Sequence, residues 1–157
     1  MWSPWRYRYV STASSQEGCI FCAKSAADHD EENHIVYRGE RNFVILNLYP
    51  YTNGHLMVAP YEHVASIEDA SEQTAVEMMQ LVRSAARHLR AVYHPQGLNL
   101  GMNIGECAGA GIAGHIHMHV LPRWLGDANF MTVVGETRVM PEDLPETYRK
   151  LKEAFGK

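Results

Sequence analysis

Across residues 71–93 the apolar residues Ala75, Met78, Met79, Val82, Ala85, Ala86, Leu89 and Val92 recur three and four positions apart, the stripe of an amphipathic helix. His94-Pro95-Gln96-Gly97 ends it, because proline offers the helix no backbone donor. Elsewhere the period shortens. Ile35-Val36-Tyr37 reads as a short strand and residues 38–42 as a turn. Residues 43–48 and 55–59 are apolar runs around a segment rich in Pro, Asn and Gly, which predicts a hairpin. Residues 98–104 read as another strand, residues 105–114 as a glycine-containing loop, and residues 115–121 as an alternating strand stopped by Pro122. The polar, acidic stretch 26–33 predicts a surface loop. The tail from Pro141 predicts a short helix with Leu144, Tyr148, Leu151 and Phe155 along one face. Hairpins around one long helix, without regular strand and helix alternation, predict an α+β fold with a mainly antiparallel sheet.

The first 16 residues have no clean period and carry Trp2, Trp5, Tyr7 and Tyr9, so they read as an arm over the body or a partner, with residues 17–157 as one domain. A chain of 157 residues fits that single domain, and 46% apolar content excludes wholesale disorder. The formal net charge of -4 argues against coating nucleic acid by bulk charge. No apolar run approaches a membrane span, and no secretory signal is evident, which predicts a soluble, cytoplasmic protein. In such a compartment the spacing Cys19-Ile-Phe-Cys22 suggests metal or redox chemistry rather than a disulfide framework.

The strongest chemical signal is His115-Ile116-His117-Met118-His119-Val120-Leu121. On extended backbone successive side chains point to opposite faces, so the three imidazoles share one face while Ile116, Met118 and Val120 turn to the core. Co-facial imidazoles either bind a metal as neutral ligands, or one attacks an electrophile while its neighbours orient it. Gly105, Gly109, Gly111 and Gly114 just upstream let the backbone approach a ligand closely, and successive N–H groups there can form an anion-binding nest. Phosphorus is the electrophile that such a loop favours. Met57, Met78 and Met79 read as core packing, Cys107 as a small loop residue, and His29, His34, His88 and His94 as solvated surface.

These residues resemble the histidine-triad superfamily of nucleotide hydrolases and transferases. The stretches Ile45-Leu46-Asn47-Leu48-Tyr49-Pro50 to Gly54-His55-Leu56-Met57-Val58-Ala59-Pro60 and Pro122-Arg123-Trp124-Leu125-Gly126-Asp127-Ala128-Asn129-Phe130 look like its branch of diadenosine tetraphosphate hydrolases and phosphorylases. The resemblance implies that His117 is the nucleophile toward the α-phosphorus of a dinucleoside polyphosphate, with water or phosphate as acceptor. It implies that His119 sits beside the phosphates and that His55 supports the cluster. Asn47 would hold the ribose, Asn103 and the loop at Gly111 would lie near the phosphates, and Ile45 and Leu48 would line the base pocket. It further implies a structural zinc held by Cys19, Cys22, His63 and His115, and a homodimer formed through residues 71–104. The chain departs from the pattern at Gly111-Ile112-Ala113-Gly114, which brings no polar side chain to the phosphates. Arg123 is a candidate charge for a polyphosphate, and Trp124 for packing over the base or against a second subunit. Two rival readings remain at this level: a metal-dependent enzyme with the three histidines as ligands, and a zinc-stabilised nucleotide-binding module without turnover.

Overall fold

The computed structural model describes residues 18–129 and 140–156, so the aromatic N-terminal arm and Phe130 lie outside the described residues. Five strands form one antiparallel sheet: β1 (Ile35–Arg38), β2 (Asn42–Leu46), β3 (Leu56–Pro60), β4 (Gly97–Gly101) and β5 (Met118–Arg123), in the order β1-β2-β3-β5-β4. Among the described residues four α-helices accompany it: α1 (Ile20–Ala26), α2 (Asp30–Asn33), α3 (Glu72–Tyr93) and α4 (Leu144–Phe155). The fold is α+β, as the pattern predicts. None of the described helices is long and apolar enough to cross a membrane.

The sheet is covered on both faces, which is why β2 and β3 are buried at every position instead of alternating. On one face Val36, Val44, Leu46, Leu56, Val58 and Val120 pack with Met78, Leu81, Val82, Ala85 and Leu89 of α3 and Tyr148 and Leu151 of α4. On the other, Ile35, Phe43, Ile45, Met57 and Ala59 pack with Phe21 of α1. This second, thinner layer carries the site.

Local chemistry explains the boundaries. Ser71 caps α3, its Oγ accepting from the Thr74 N–H at 3.2 Å, and Asp143 caps α4 through Glu146 N–H at 3.0 Å. The tail helix therefore begins at Leu144, with Pro145 in its first turn, and not at Pro141. The segment expected to be a loop at residues 26–33 instead follows helix α1 and contains helix α2. Regular pairing of β5 begins at Met118, so His115 to His117 lie ahead of the strand. The expected alternation nevertheless holds, because Ile116 N–H bonds the Val64 carbonyl at 2.9 Å and its side chain enters the α3 core. Pro122 does not stop β5. It pairs with Leu98 beyond the last β3 partner, where no ladder donor is required of it on the β3 side, and its carbonyl accepts from Thr52 Oγ at 3.1 Å. Of the three methionines read as core, Met78 is core to α3, Met57 belongs to the opposite face, and Met79 is exposed.

Candidate active site

A row of paired residues crosses the sheet from Ile35 through Ile45 and Met57 to His119. Ile45, Met57 and His119 floor a cavity of about 550 Å³, and Ile20, Phe21 and Lys24 of α1 wall it on one side. Asn103, Glu106, the stretch Gly109 to Ala113, His117, Asn47, Leu48 and Tyr51 complete its lining. The cavity thus collects His117, His119, Asn47, Asn103, Ile45, Leu48 and Gly111. His55 is buried behind His119, and Cys19, Cys22, His63 and His115 gather separately.

Hydrogen bonds assign each proton on His117, His55 and His119. The Nδ1–H of His117 donates to the carbonyl of His115 at 2.9 Å, which leaves Nε2 with a free lone pair on a ring that lines the cavity. His55 Nδ1 must accept, because the Tyr51 backbone N–H at 3.2 Å can only donate to it; the Asn47 amide lies at 3.3 Å from the same atom. The Asn47 amide is oriented in turn by its Oδ1, which accepts from Tyr49 N–H at 2.9 Å. Hence His55 Nε2–H donates to His119 Nδ1 at 2.9 Å, and the remaining proton of His119 sits on Nε2. One imidazole therefore presents a lone pair to the cavity and its neighbour, with ring centroids 4.9 Å apart, presents an N–H.

Burial keeps the whole group neutral. It lowers His55 to about 3, with the nearby His119 and His117 adding to the effect, and lowers His119 to about 4, helped by His117. His117 is likewise pushed below the ordinary histidine value by burial, against the opposing bond to the His115 carbonyl. Phe21 packs at a tilt against His117 and His115, with ring centroids 4.9 and 5.2 Å away.

His115 does not line the cavity. Its Nε2–H donates to the Pro60 carbonyl at 2.9 Å, which leaves Nδ1 bare, 3.2 Å from Cys19 Sγ and 3.6 Å from Cys22 Sγ. Cys22 Sγ lies 3.3 Å from His63 Nδ1, and all four donor atoms fall within 4.8 Å of one another. Sulfur and nitrogen on the edge of a tetrahedral zinc site are separated by about 3.5 Å, given Zn–S and Zn–N bonds of about 2.3 and 2.0 Å. The donor set fits zinc, and the bond from His115 to Pro60 fixes the ring tautomer that a metal requires.

Other expectations need revision. Arg123 does not face the phosphate side: Asp127 binds it bidentately at 2.6 and 2.7 Å, and Asn99 at 2.6 Å. Trp124 packs edge-on against Tyr93 with centroids 6.4 Å apart. His88 is no free surface ring but packs on Phe155 at 4.3 Å, and His34, the left-handed cap of α2, is half-buried, while His94, the left-handed cap of α3, is exposed as expected. Ile20, Phe21, Lys24, Tyr51, Met57 and Glu106 all border the cavity without any sequence signal pointing to it. The one available hint was that Ile20 and Phe21 lie inside the Cys19–Cys22 spacing.

An alternating row of three histidines leading into a strand of an antiparallel sheet, beside a glycine-rich loop and backed by a buried fourth histidine, defines a histidine-triad protein. The chain matches the HIT domain over residues 29–124 and belongs to that family. It is 40% identical over 158 residues to the AP-4-A phosphorylase of Mycobacterium tuberculosis (strain ATCC 25618 / H37Rv), covering 96% of this chain and 81% of that protein. It is 34% identical to Protein hit of Bacillus subtilis (strain 168), over 82% of this chain and 88% of that one. Among solved structures, a Zn-bound histidine triad family protein from Mycobacterium smegmatis superposes with a TM-score of 0.70 at 31% identity, covering 92% of this chain and 95% of that one.

Proposed function

We propose that this protein is a nucleotidyl transferase that cleaves dinucleoside polyphosphates through a covalent intermediate on His117, with inorganic phosphate as acceptor. The observation that carries the reading is the proton assignment: a neutral His117 whose Nε2 lone pair meets the cavity while Nδ1–H is held by a carbonyl. The Nε2 atom attacks the α-phosphorus, a P–N bond forms, and the bond to the bridging oxygen breaks. The departing nucleoside polyphosphate leaves as an anion and needs no proton, and the His119 Nε2–H hydrogen-bonds the developing charge. Phosphate, itself an anion, then attacks the same phosphorus and restores neutral His117. Backbone N–H groups of residues 109–113 take the non-bridging oxygens, since this stretch offers no polar side chain. Asn47 lies at the ribose end, Asn103 bonds the Gly109 carbonyl at 3.4 Å and holds the loop, and Ile45 and Leu48 lie against the base.

Zinc on Cys19, Cys22, His63 and His115 is structural in this reading: two thiolates and two imidazoles complete a tetrahedron and leave no place for water. The engagement of His115 with those thiols disfavours a catalytic metal shared by the three triad histidines. Relatedness to a protein named AP-4-A phosphorylase supports the substrate class and the acceptor. β4 is an edge strand, and Leu100 on it, with the apolar Val76, Met79 and Ile104, is exposed at 39–53%, which supports a homodimer through residues 71–104.

The decisive experiment is turnover of diadenosine tetraphosphate with labelled phosphate. Phosphorolysis puts the label in ADP and releases ATP; AMP as product would mean that water is the acceptor. Substituting His117→Ala should lower the rate by at least about 10⁴-fold while leaving the melting temperature and the metal content in place. Turnover that survives this change would refute the covalent step.

A further inference from the structure

Lys24 is the one cation among the described residues that line the cavity. It follows Ile20 and Phe21 by four and three residues on α1, so all three share the helix face turned to the cavity. Its Nζ donates to the carbonyl of Asn33 at 3.1 Å. Asn33 leads into β1, and the sheet row that begins at Ile35 ends at His119 three strands away. With strands about 4.8 Å apart, the two ends of that row are separated by roughly 14 Å, on the order of the length of a nucleotide. A nucleotide with its phosphate at His117 therefore directs its base toward Lys24.

Toward that end the apolar lining comes from Ile20 and Ile45, and Phe21 and Met57 continue it to the histidines, side chains that sandwich a ring without distinguishing its edges. An ammonium has three N–H donors and no acceptor. One is held by Asn33, no carboxylate among the described residues lies within ion-pair distance, and two donors remain for a ligand. Of the common purines, guanine offers two adjacent acceptors on one edge, O6 and N7. Adenine offers N7 beside an N6–H₂ donor, which a second N–H can only oppose.

We propose that Lys24 reads the 6-oxo edge of a purine, so that the cavity binds guanine and hypoxanthine nucleotides more tightly than adenine nucleotides. The inference rests on the reading of the cavity as a nucleotide site, and concerns which base fills it. Calorimetric titration of the zinc-loaded protein with GMP, IMP and AMP tests it without any need for turnover. GMP and IMP should bind at least about tenfold more tightly than AMP. IMP lacks the 2-amino group, so its grouping with GMP assigns the preference to O6 and N7. Lys24→Met should remove the difference by weakening GMP and IMP alone. Lys24→Gln, whose amide both donates and accepts as adenine N7 and N6 require, should turn the preference toward AMP.

Equal affinity of the unaltered protein for the three nucleotides would overturn the proposal. So would an equal loss for all three in Lys24→Met, which would place the ammonium on the shared phosphate. A change confined to the melting temperature would leave Lys24 as a brace for Asn33 and overturn it too. Failure of all three nucleotides to bind would instead overturn the nucleotide reading of the cavity.

Discussion

At the scale of single residues, the cavity histidines are ordered by the placement of protons rather than charges. Tyr51 N–H and Asn47 fix His55, His55 fixes His119, and the His115 carbonyl fixes His117. Asn47 is thus a positioning residue as well as a wall of the cavity. Asn47→Asp replaces the amide that faces His55 Nδ1 with a carboxylate, which favours a proton on Nδ1 and reverses the chain of donors. The expected outcome is a fall in kcat of about 10²-fold, the range for disturbing a positioned proton donor. KM should change little, and the acid limb of the rate profile should move upward because a carboxylate stabilises the imidazolium. A matching loss in Asn47→Ala without any movement of the profile would show that the side chain acts on the ribose alone. Roles of this kind were half legible from the chain. The alternation of His115, His117 and His119 placed them on one side, but only the coordinates separate His115, which meets two thiols, from His117 and His119, which meet the cavity.

At the scale of elements, α1 is the piece the sequence concealed. Seven residues are too few to show a helical period, and so short a helix owes its stability to packing rather than propensity. Its anchors are Phe21, buried against Phe43 and the histidines, and the thiols of Cys19 and Cys22 beside His63 and His115. The long helix and the hairpin were legible because their periods extend over many residues; α1 and α2 were not. Since Ile20 and Lys24 on the same helix wall the cavity, stripping zinc should release that wall. A chelator is expected to weaken nucleotide binding at least about tenfold, and linkage requires nucleotide to tighten zinc by the same factor. Competition against a zinc-binding dye with and without AMP measures the second half of that cycle. On the far side of the sheet, Gly54 precedes His55 with φ +74°, where an added Cβ would lie 3.0 Å from Leu89 and Tyr93 side chains. Gly54→Ala combines left-handed strain with overpacking, and denaturant unfolding should show a loss of about 1–3 kcal/mol.

At the scale of the whole molecule, a sheet covered on both faces keeps His55 and His119 neutral, and that neutrality is linked to stability against acid. Both groups have folded pKa values, about 3 and about 4, below the ordinary 6.5 of the unfolded chain. Between those limits the unfolded chain binds protons that the folded protein refuses, so stability rises with pH across the window and falls as pH drops from about 7 toward 4. Above pH 7 both states are unprotonated at these positions and the contribution is constant. Carboxylates such as Asp30, held low by Arg38 and Lys152 against the opposing cost of burial, add to the loss only at lower pH. The two regimes can therefore be separated. Urea unfolding from pH 8 to 4 should give a flat upper region and then a decline that begins near pH 6.5, well above the carboxylate range. In His55→Gln one such group is removed, so the decline between pH 6.5 and 4 should become shallower even where the variant is less stable at pH 7. An unchanged slope would mean that this imidazole accepts a proton in place, and the neutral relay from Tyr51 to His119 would then fail with it.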